Sequence, residues 1–447
     1  MRTDLRLALL LTRGSDRREW WRVALTAVGA ALAGTLCLAA VAVASLQGQY
    51  SMTLAHGLLD QPGDRAGVVV TLLLLLVPVL GFLGQCARIG AVHRDRRLAG
   101  LRLAGASPAQ VRRIAALEAG LACLLGSAVA TLVCAGVLLR RTQGPSAAVW
   151  AGCAGVLLVV PVVGALVSTL ALRRVVASPL GWVRRVRPSG GRPGPGLAVL
   201  TTALVMLFTA LAVAPASLGG FGTAPPLVFG VVIVTGLGAV WAVGASARLT
   251  GRVLAARTRN PATLIAAERL RDDPWAGART HAAVLLVTVV GTGFVGVRQV
   301  LLDILTGHDR HMYSSNLSFY TTGIDLAGAA ILLALAITLT ALAVGTAESL
   351  ATRRRGLAAQ AAAGVPQVVL GRALLLETAL PLAPAVALAG AGGLGIGVWY
   401  GQLAGGGMVP VLPVLVPVAV YAACLLAAAT SLPLLRRSVR PAELRHL

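Results

Sequence analysis

Residues 94–118 of this chain read RDRRLAGLRLAGASPAQVRRIAALE, and a weaker copy of that stretch, at residues 353–377, reads RRRGLAAQAAAGVPQVVLGRALLLE. A constant offset of 259 residues aligns the two copies, pairing Gly105 with Gly364 and Glu118 with Glu377. Each copy is a basic segment that runs into a long apolar segment. An internal repeat of this kind indicates that the fold contains two related modules.

The composition is that of an integral membrane protein. Apolar residues make up 57% of the 447 residues and charged residues 12%, whereas soluble domains carry about 25% charged residues. All 39 basic residues are arginines, which excludes Schiff-base chemistry and a Walker A loop, because both need a lysine. The formal charge of +23 comes from short arginine runs between apolar segments. That layout follows the positive-inside rule and argues against a nucleic-acid partner.

Ten apolar segments are long enough to cross a bilayer. They lie at 23–46, 67–87, 114–139, 148–172, 197–213, 227–247, 281–300, 326–347, 373–400 and 411–435. We therefore expect an all-α membrane protein whose ten transmembrane helices form two four-helix modules joined by a two-helix hairpin. The predicted domains are a first module (1–180), a basic Pro/Gly-rich cytoplasmic linker (181–196), the hairpin (197–247) and a second module (248–447).

The distribution of arginine predicts the orientation of the chain in the cell membrane. The loops at 88–113, 173–196, 248–279 and 347–372 carry nearly all of the arginines between spans, and the opposite loops carry few. Both termini are therefore expected in the cytoplasm, with membrane lipid around the spans. Within the basic segment 248–279, Asn260 is expected to cap a helix that has Pro261 at its first position.

Each copy of the repeat predicts a short helix, a break and a new helix. In the first copy, residues 98–104 form the short helix, and Gly105 ends it as a C-terminal cap. Ser107 then caps the next helix, with Pro108 at its first position and Gln110 completing a capping box. Because the new helix continues into a span, a force on the short helix would move the span. The alternative is a plain basic loop that contacts lipid headgroups.

Residues 96–107, RRLAGLRLAGAS, resemble the cytoplasmic signature of the FtsX-like permeases, the MacB-type membrane subunits of ABC transporters. That signature runs roughly Arg-Arg-Glu, two or three apolar residues, then Leu-Arg-Ala-Leu-Gly-Ala-Ser, with a glutamate near the next span, as Glu118 is here. The tail at 441–445 is also similar to the family. The duplicated ten-span layout resembles the Bce-type branch, and the resemblance covers both four-span modules.

The resemblance implies that each copy docks a separate ABC ATPase subunit, so that one chain binds two copies. The residues carried over from the family are Leu98, Leu101, Arg102, Gly105, Ala106 and Ser107 in the first copy and Leu357, Gly364 and Val365 in the second. ATP and Mg would bind the partner, so that this chain holds no cofactor and is not itself an enzyme. The second copy has Ala361 and Pro366 where the first has Arg102 and Ser107, and a weaker contact is expected there.

The function that follows is that of a permease subunit, which couples ATP hydrolysis by its partner to export or extraction of an amphipathic or lipophilic compound. An FtsX-like signalling subunit that moves no substrate is the alternative. The outer loops at 47–65 and 301–324 are only 19 and 24 residues long, and such a regulator needs an external surface. A membrane-embedded enzyme is disfavoured, because the spans contain no HExxH motif, paired carboxylates or serine/histidine constellation.

Two carboxylates, Glu118 and Glu377, lie near the cytoplasmic ends of the third and ninth spans. A charge at the bilayer centre costs about 2.5–3.5 kcal/mol on insertion scales, so that such residues invite a functional explanation. Each follows an arginine, Arg113 or Arg372, by five residues, which places both near the interface. This position favours a structural or coupling role, and proton coupling is the alternative.

Overall fold

The computed structural model describes residues 17–46, 59, 62–76, 79, 82–83, 86, 100, 103–141, 147–177, 224–306, 317–404 and 410–438. The regular secondary structure of these residues is entirely helical, which confirms the predicted all-α class. In chain order the described helices are α1 (Arg17–Ala44), α2 (Pro62–Leu74), α3 (Pro108–Arg141), α4 (Ala147–Ala177), α5 (Ala224–Arg257), α6 (Pro261–Asp272), α7 (Ala276–Thr306), α8 (Leu317–Thr352), α9 (Arg354–Ala362), α10 (Gln367–Leu403), α11 (Leu415–Ala429) and α12 (Leu432–Ser438), with a 3-10 turn at Leu412–Val414 before α11.

Eight stretches of the described helices are long and apolar enough to cross a membrane. They are Val23–Ala44, Ala109–Arg140, Ala147–Leu166, Gly230–Arg257, Thr280–Thr306, Tyr320–Thr352, Gln367–Leu403 and Leu412–Leu435. A helix satisfies its backbone polar groups internally, as hydrocarbon requires. The chain is thus a multi-pass membrane protein. The fifth predicted span and the linker lie outside the described residues, and the second span is described only in part, so that the count of ten stays a prediction.

The first compact unit, Met1–Gly190, is built on the packing of α1, α3 and α4. A buried cluster joins α1 to α4 through Leu38, Cys153 and Val156. Close approach depends on glycine: a Cβ built on Gly152 would lie 2.7 Å from Cγ1 of Val41. In lipid, helices associate through such close packing rather than by removing apolar surface from water.

In the second unit, Gly191–Leu447, α7 and α10 are the central helices. The most apolar stretch of α7 is 56% buried inside the protein and that of α10 is 50% buried, against 22% for α8. The core lies where α5, α7 and α10 meet, and it includes Leu285, Leu382 and Trp399. The unit division at Gly190/Gly191 falls within the predicted linker, while the module boundaries themselves stay predictions.

Gly393 and Gly397, a GxxxG pair in α10, let that helix approach α7 closely. A Cβ on Gly393 would lie 2.5 Å from Cβ of Thr292, and one on Gly397 would lie 2.9 Å from Cα of Gly296. Neither position has room for a methyl group unless the backbones separate. The pair of glycines is therefore used for helix packing.

The helices extend further beyond the apolar segments than expected. α5 continues without a break to Arg257, so that the predicted hairpin boundary at 247/248 falls inside it. Likewise α7 continues to Thr306, and α8 begins at Leu317, within the predicted 301–324 loop. Polar residues at the ends of a span do not stop a helix, whereas a cap does. At Asn260 the predicted cap is present, since its Oδ1 accepts a 3.0 Å bond from the Ala262 N–H.

Candidate functional site

The two copies of the repeat each place a glycine in the left-handed region of backbone conformation. Gly105 has φ 94° and Gly364 has φ 89°, and these are the positive-φ glycines of the described residues. Residues with a Cβ have a steric cost in this region, whereas glycine has none. In both copies this glycine lies just before a long span-forming helix, as the sequence predicted.

In the second copy the glycine belongs to a complete helix-ending motif. The Val365 N–H donates a 3.1 Å bond to the carbonyl of Gln360, and the Gly364 N–H donates a 2.9 Å bond to the carbonyl of Ala361. This pair of bonds is the Schellman arrangement, which satisfies carbonyls that the end of a helix leaves open. The short helix α9 therefore ends in a defined geometry before α10 begins at Gln367.

In the first copy the start of the next helix is held by the predicted capping box. The Gln110 N–H donates to Oγ of Ser107 at 3.2 Å, and the Ser107 N–H donates to Oε1 of Gln110 at 2.8 Å. The second copy has Pro366 at the equivalent position, with no side-chain cap. The two junctions thus share the glycine and differ in their caps.

The predicted docking residues divide into exposed and buried ones. Gly105, Ser107 and Gly364 are exposed, while Ala106 and Val365 are half-buried. Three further predicted residues lie outside the described part of the chain: Leu98, Leu101 and Arg102. The last predicted residue, Leu357, is buried.

Leu357 is only 2% exposed, and it packs into a leucine cluster that joins α8, α9, α10 and α12. The other buried members are Leu350, Leu370, Leu374 and Leu435. Leu357 thus anchors α9 to the second unit instead of lying on its surface. Burial of such a side chain is worth about 1.5–3 kcal/mol relative to exposure to water. Any docking role of Leu357 is therefore indirect.

Exposed apolar side chains mark the outer surface of both junctions. Leu103 is 72% exposed just before Gly105, and Val368 is 65% exposed in the first turn of α10. Exposed arginines lie near these side chains in the sequence: Arg112 follows the first junction, while Arg355 and Arg372 lie in α9 and α10, on either side of the second. Each junction thus has an exposed apolar side chain with exposed arginines close to it in the sequence.

Glu377, one of the two predicted carboxylates, connects separate elements of the second unit. Its Oε1 accepts a 2.6 Å bond from Nη1 of Arg353, and its Oε2 lies 3.4 Å from Nη1 of Arg269. Arg353 is the residue at which α8 passes into α9, while Arg269 lies on α6. The carboxylate is thus held between two guanidinium groups, an arrangement suited to a mechanical connection. Glu118, its counterpart in the first unit, is 5% exposed on α3.

Sequence reasoning missed Arg269. Besides Glu377, it contacts α9, because its Nη2 lies 3.3 Å from Oε1 of Gln360. Arg269 lies outside the repeat. The only signal for it in the sequence was its position in the basic segment 248–279. Its partners are 91 and 108 residues further along the chain, beyond the reach of spacing rules.

Within the residues that the structure describes, no group of three or more His, Cys, Asp and Glu side chains is placed to hold a metal ion. Family models show no match to this chain, and neither do curated proteins or solved structures. A functional proposal therefore rests on the residues and the geometry of the chain itself.

Proposed function

We propose that this chain is the permease subunit of an ABC-type transporter, similar to the FtsX-like permeases, and that a separate ATPase drives it. The observation that carries the proposal is the repeated left-handed glycine directly before a span-forming helix, at Gly105 and at Gly364. In the second copy the short helix α9 precedes this glycine. The junctions lie at arginine-rich ends of spans, which the positive-inside rule assigns to the cytoplasm together with both termini. ATP and Mg belong to the partner.

The surface of each junction supports a docking role. Each has an exposed apolar side chain, Leu103 or Val368, and exposed arginines nearby in the sequence. Interfaces commonly have an apolar centre and a polar rim. A matching partner surface has an apolar pocket with acidic residues around it. Two such surfaces in one chain accommodate two ATPase subunits.

Motion at the second junction would reach the membrane through two connections. Leu357 packs α9 against the leucine cluster, and Arg353 binds Glu377 on α10. A movement of α9 therefore changes side-chain contacts on a helix that continues through the bilayer. The first junction has its own rigid element in the Ser107–Gln110 capping box.

An apolar groove in the second unit supports the proposal that the transported compound is lipophilic. It has a volume of about 400 Å³, lies between α10 and α11, and is lined by residues such as Val386, Leu394, Pro417 and Val418. The one hydroxyl in the lining, that of Tyr421, donates to the carbonyl of Ala379. With its polar group engaged, the groove suits an alkyl chain better than a polar solute.

Co-purification with an ATPase encoded next to this chain tests the proposal. We expect the wild-type chain to retain about two ATPase copies. Leu103→Asp and Val368→Asp each place a carboxylate at an exposed position of one junction, and each should remove one copy. Ala256→Asp is the matched control, because Ala256 is an exposed residue near the end of α5, outside both junctions.

The outcomes separate the alternatives. Retention by the wild type and by Ala256→Asp, with loss in the two junction variants, supports two docking sites. Loss only in Leu103→Asp means that the second copy does not dock. If the wild-type chain retains no ATPase, the proposal is wrong. If it binds the ATPase but moves no compound in reconstituted vesicles, the chain is a signalling subunit.

A further inference from the structure

Helix α6 lies outside the repeat, yet it packs against α10, the helix that begins in the second copy of the repeat. Its inner face carries Ala262, Ala266 and Leu270, which are buried against α5 and α10. Ala262 and Ala266 share a cluster with Ala373 of α10. The small side chains allow α6 to lie close to both helices. The position of α6 is therefore set by the spans.

The Arg269 side chain reaches from this helix to two other elements. It is 18% exposed, and its two terminal nitrogens have different acceptors. Nη1 lies 3.4 Å from the Glu377 carboxylate on α10, and Nη2 lies 3.3 Å from the Gln360 amide oxygen on α9. A planar guanidinium presents several donors in a fixed geometry, so that one side chain bridges both acceptors.

We infer that Arg269 is a positioning residue that ties α6 to α9 and α10, so that the three helices act as one coupling unit. Removal of Arg269 leaves Glu377 with the shorter bond from Arg353 but leaves Gln360 without its Arg269 contact. The loss of restraint is therefore concentrated in α9. The consequence for transport rests on the proposed function, whereas the tether itself does not.

The helix contains its own control residue. Arg271 lies two positions further along α6 and pairs with Glu268 of the same helix at 2.7 Å. Both side chains of that pair are half-exposed, and their bond connects no second element. Arg271→Gln and Arg269→Gln thus remove the same charge from one helix, but only the second removes a tether.

Hydrogen exchange of the full chain in detergent tests the tether without any partner. In Arg269→Gln we expect the amides of α9 to exchange about tenfold faster, which corresponds to about 1.4 kcal/mol. Gln360→Ala should reproduce this change without altering the charges around Glu377. Arg271→Gln should leave α9 exchange within about twofold of wild type. Equal exchange of α9 in the Arg269 and Arg271 variants, with Gln360→Ala also silent, overturns the inference.

A second measurement separates the tether from the proposed function. In a complex with the ATPase, Arg269→Gln should keep the partner bound and lose most of its stimulation of ATP hydrolysis, while Arg271→Gln keeps both. If the wild-type chain binds no ATPase, the proposed function fails, and the exchange data alone decide the tether. If Arg269→Gln loosens α9 but leaves ATP hydrolysis fully stimulated, the inferred coupling unit is wrong.

Discussion

Arg353 donates a hydrogen bond of 2.6 Å from Nη1 to Oε1 of Glu377. The bond joins the point where α8 passes into α9 to the side of α10. The two bonded residues are 24 positions apart, and the segment between them contains α9, Gly364 and the start of α10. The short helix is thus held at both ends, by this ion pair and by the Schellman motif.

Replacement of Glu377 by glutamine keeps the shape of the side chain and removes its charge. Because Glu377 is only 17% exposed and accepts from two arginines, we expect the free energy of unfolding to fall by about 1.5–3 kcal/mol. Denaturant unfolding in detergent measures the change. Glu268→Gln, in an exposed pair within α6, should cost no more than about 0.5 kcal/mol. Similar losses in both variants would contradict the connecting role of Glu377.

Gly364→Ala tests the left-handed junction. An alanine at φ 89° should cost about 1–2 kcal/mol, because its Cβ approaches the carbonyl oxygen. Gly356→Ala is the matched control: it lies within α9, and a Cβ there meets nothing within 4 Å. It should be neutral or stabilise by up to about 1 kcal/mol. Thermal unfolding of the two variants in one detergent compares them, and stabilisation of both would be inconsistent with a strained site at Gly364.

Gly393→Ala tests the contact between α7 and α10. The new Cβ would lie 2.5 Å from Cβ of Thr292 and 2.6 Å from the carbonyl oxygen of Val289. The backbone oxygen has no rotamer to change, so that the helices must separate, at a cost of about 1–3 kcal/mol. Gly155→Ala on α4 adds its methyl group to open space. Size-exclusion chromatography after heating should show early aggregation for Gly393→Ala only.

Single cysteines in the sequence just before and just after α5 test the orientation of the chain. In a background without the six native cysteines, Thr223→Cys should react with an impermeant maleimide in intact cells. Thr258→Cys should react only after permeabilisation, because the arginine-rich segment at 248–279 is expected in the cytoplasm. The reverse pattern would place the docking junctions outside and would remove the basis for an ATPase partner.

A bulky substitution in the groove between α10 and α11 is predicted to reduce transport. Ala387 is an exposed residue in its lining, and Ala387→Trp would fill the space with an aromatic ring. We expect transport of a lipophilic compound to fall at least about tenfold, a loss equivalent to about 1.4 kcal/mol, with ATPase binding unchanged. Ala154→Trp on the exposed face of α4 adds the same ring elsewhere. A wild-type transport rate in Ala387→Trp would remove the groove from the pathway.

Features set by local rules could be predicted from the sequence. The capping box at Ser107 and Gln110, the cap at Asn260 and the left-handed glycines each depend on residues within about one helical turn. Hydropathy and length placed the eight described spans. The ends of α5, α7 and α8 were misjudged, because hydropathy marks where lipid ends and does not mark where a helix ends.

The partners of the repeat depended on the tertiary structure. Leu357 was assigned to a docking surface, and only its packing against Leu435 and the other cluster leucines revealed that it is buried. Arg269 was one arginine among many until the packing of α6 against α10 brought it to Glu377 and Gln360. The spacing of residues along the chain does not predict such contacts between distant segments.

The sequence by itself determined that this is an all-helical membrane protein with a glycine junction repeated before two of its spans, because hydropathy, capping and the conformational freedom of glycine act over short stretches. The tertiary structure alone decided which residues of each junction are exposed and which distant side chains hold the second one. That decision belongs to helix packing, since a guanidinium group binds a carboxylate only when two separately positioned helices bring them within about 3–4 Å.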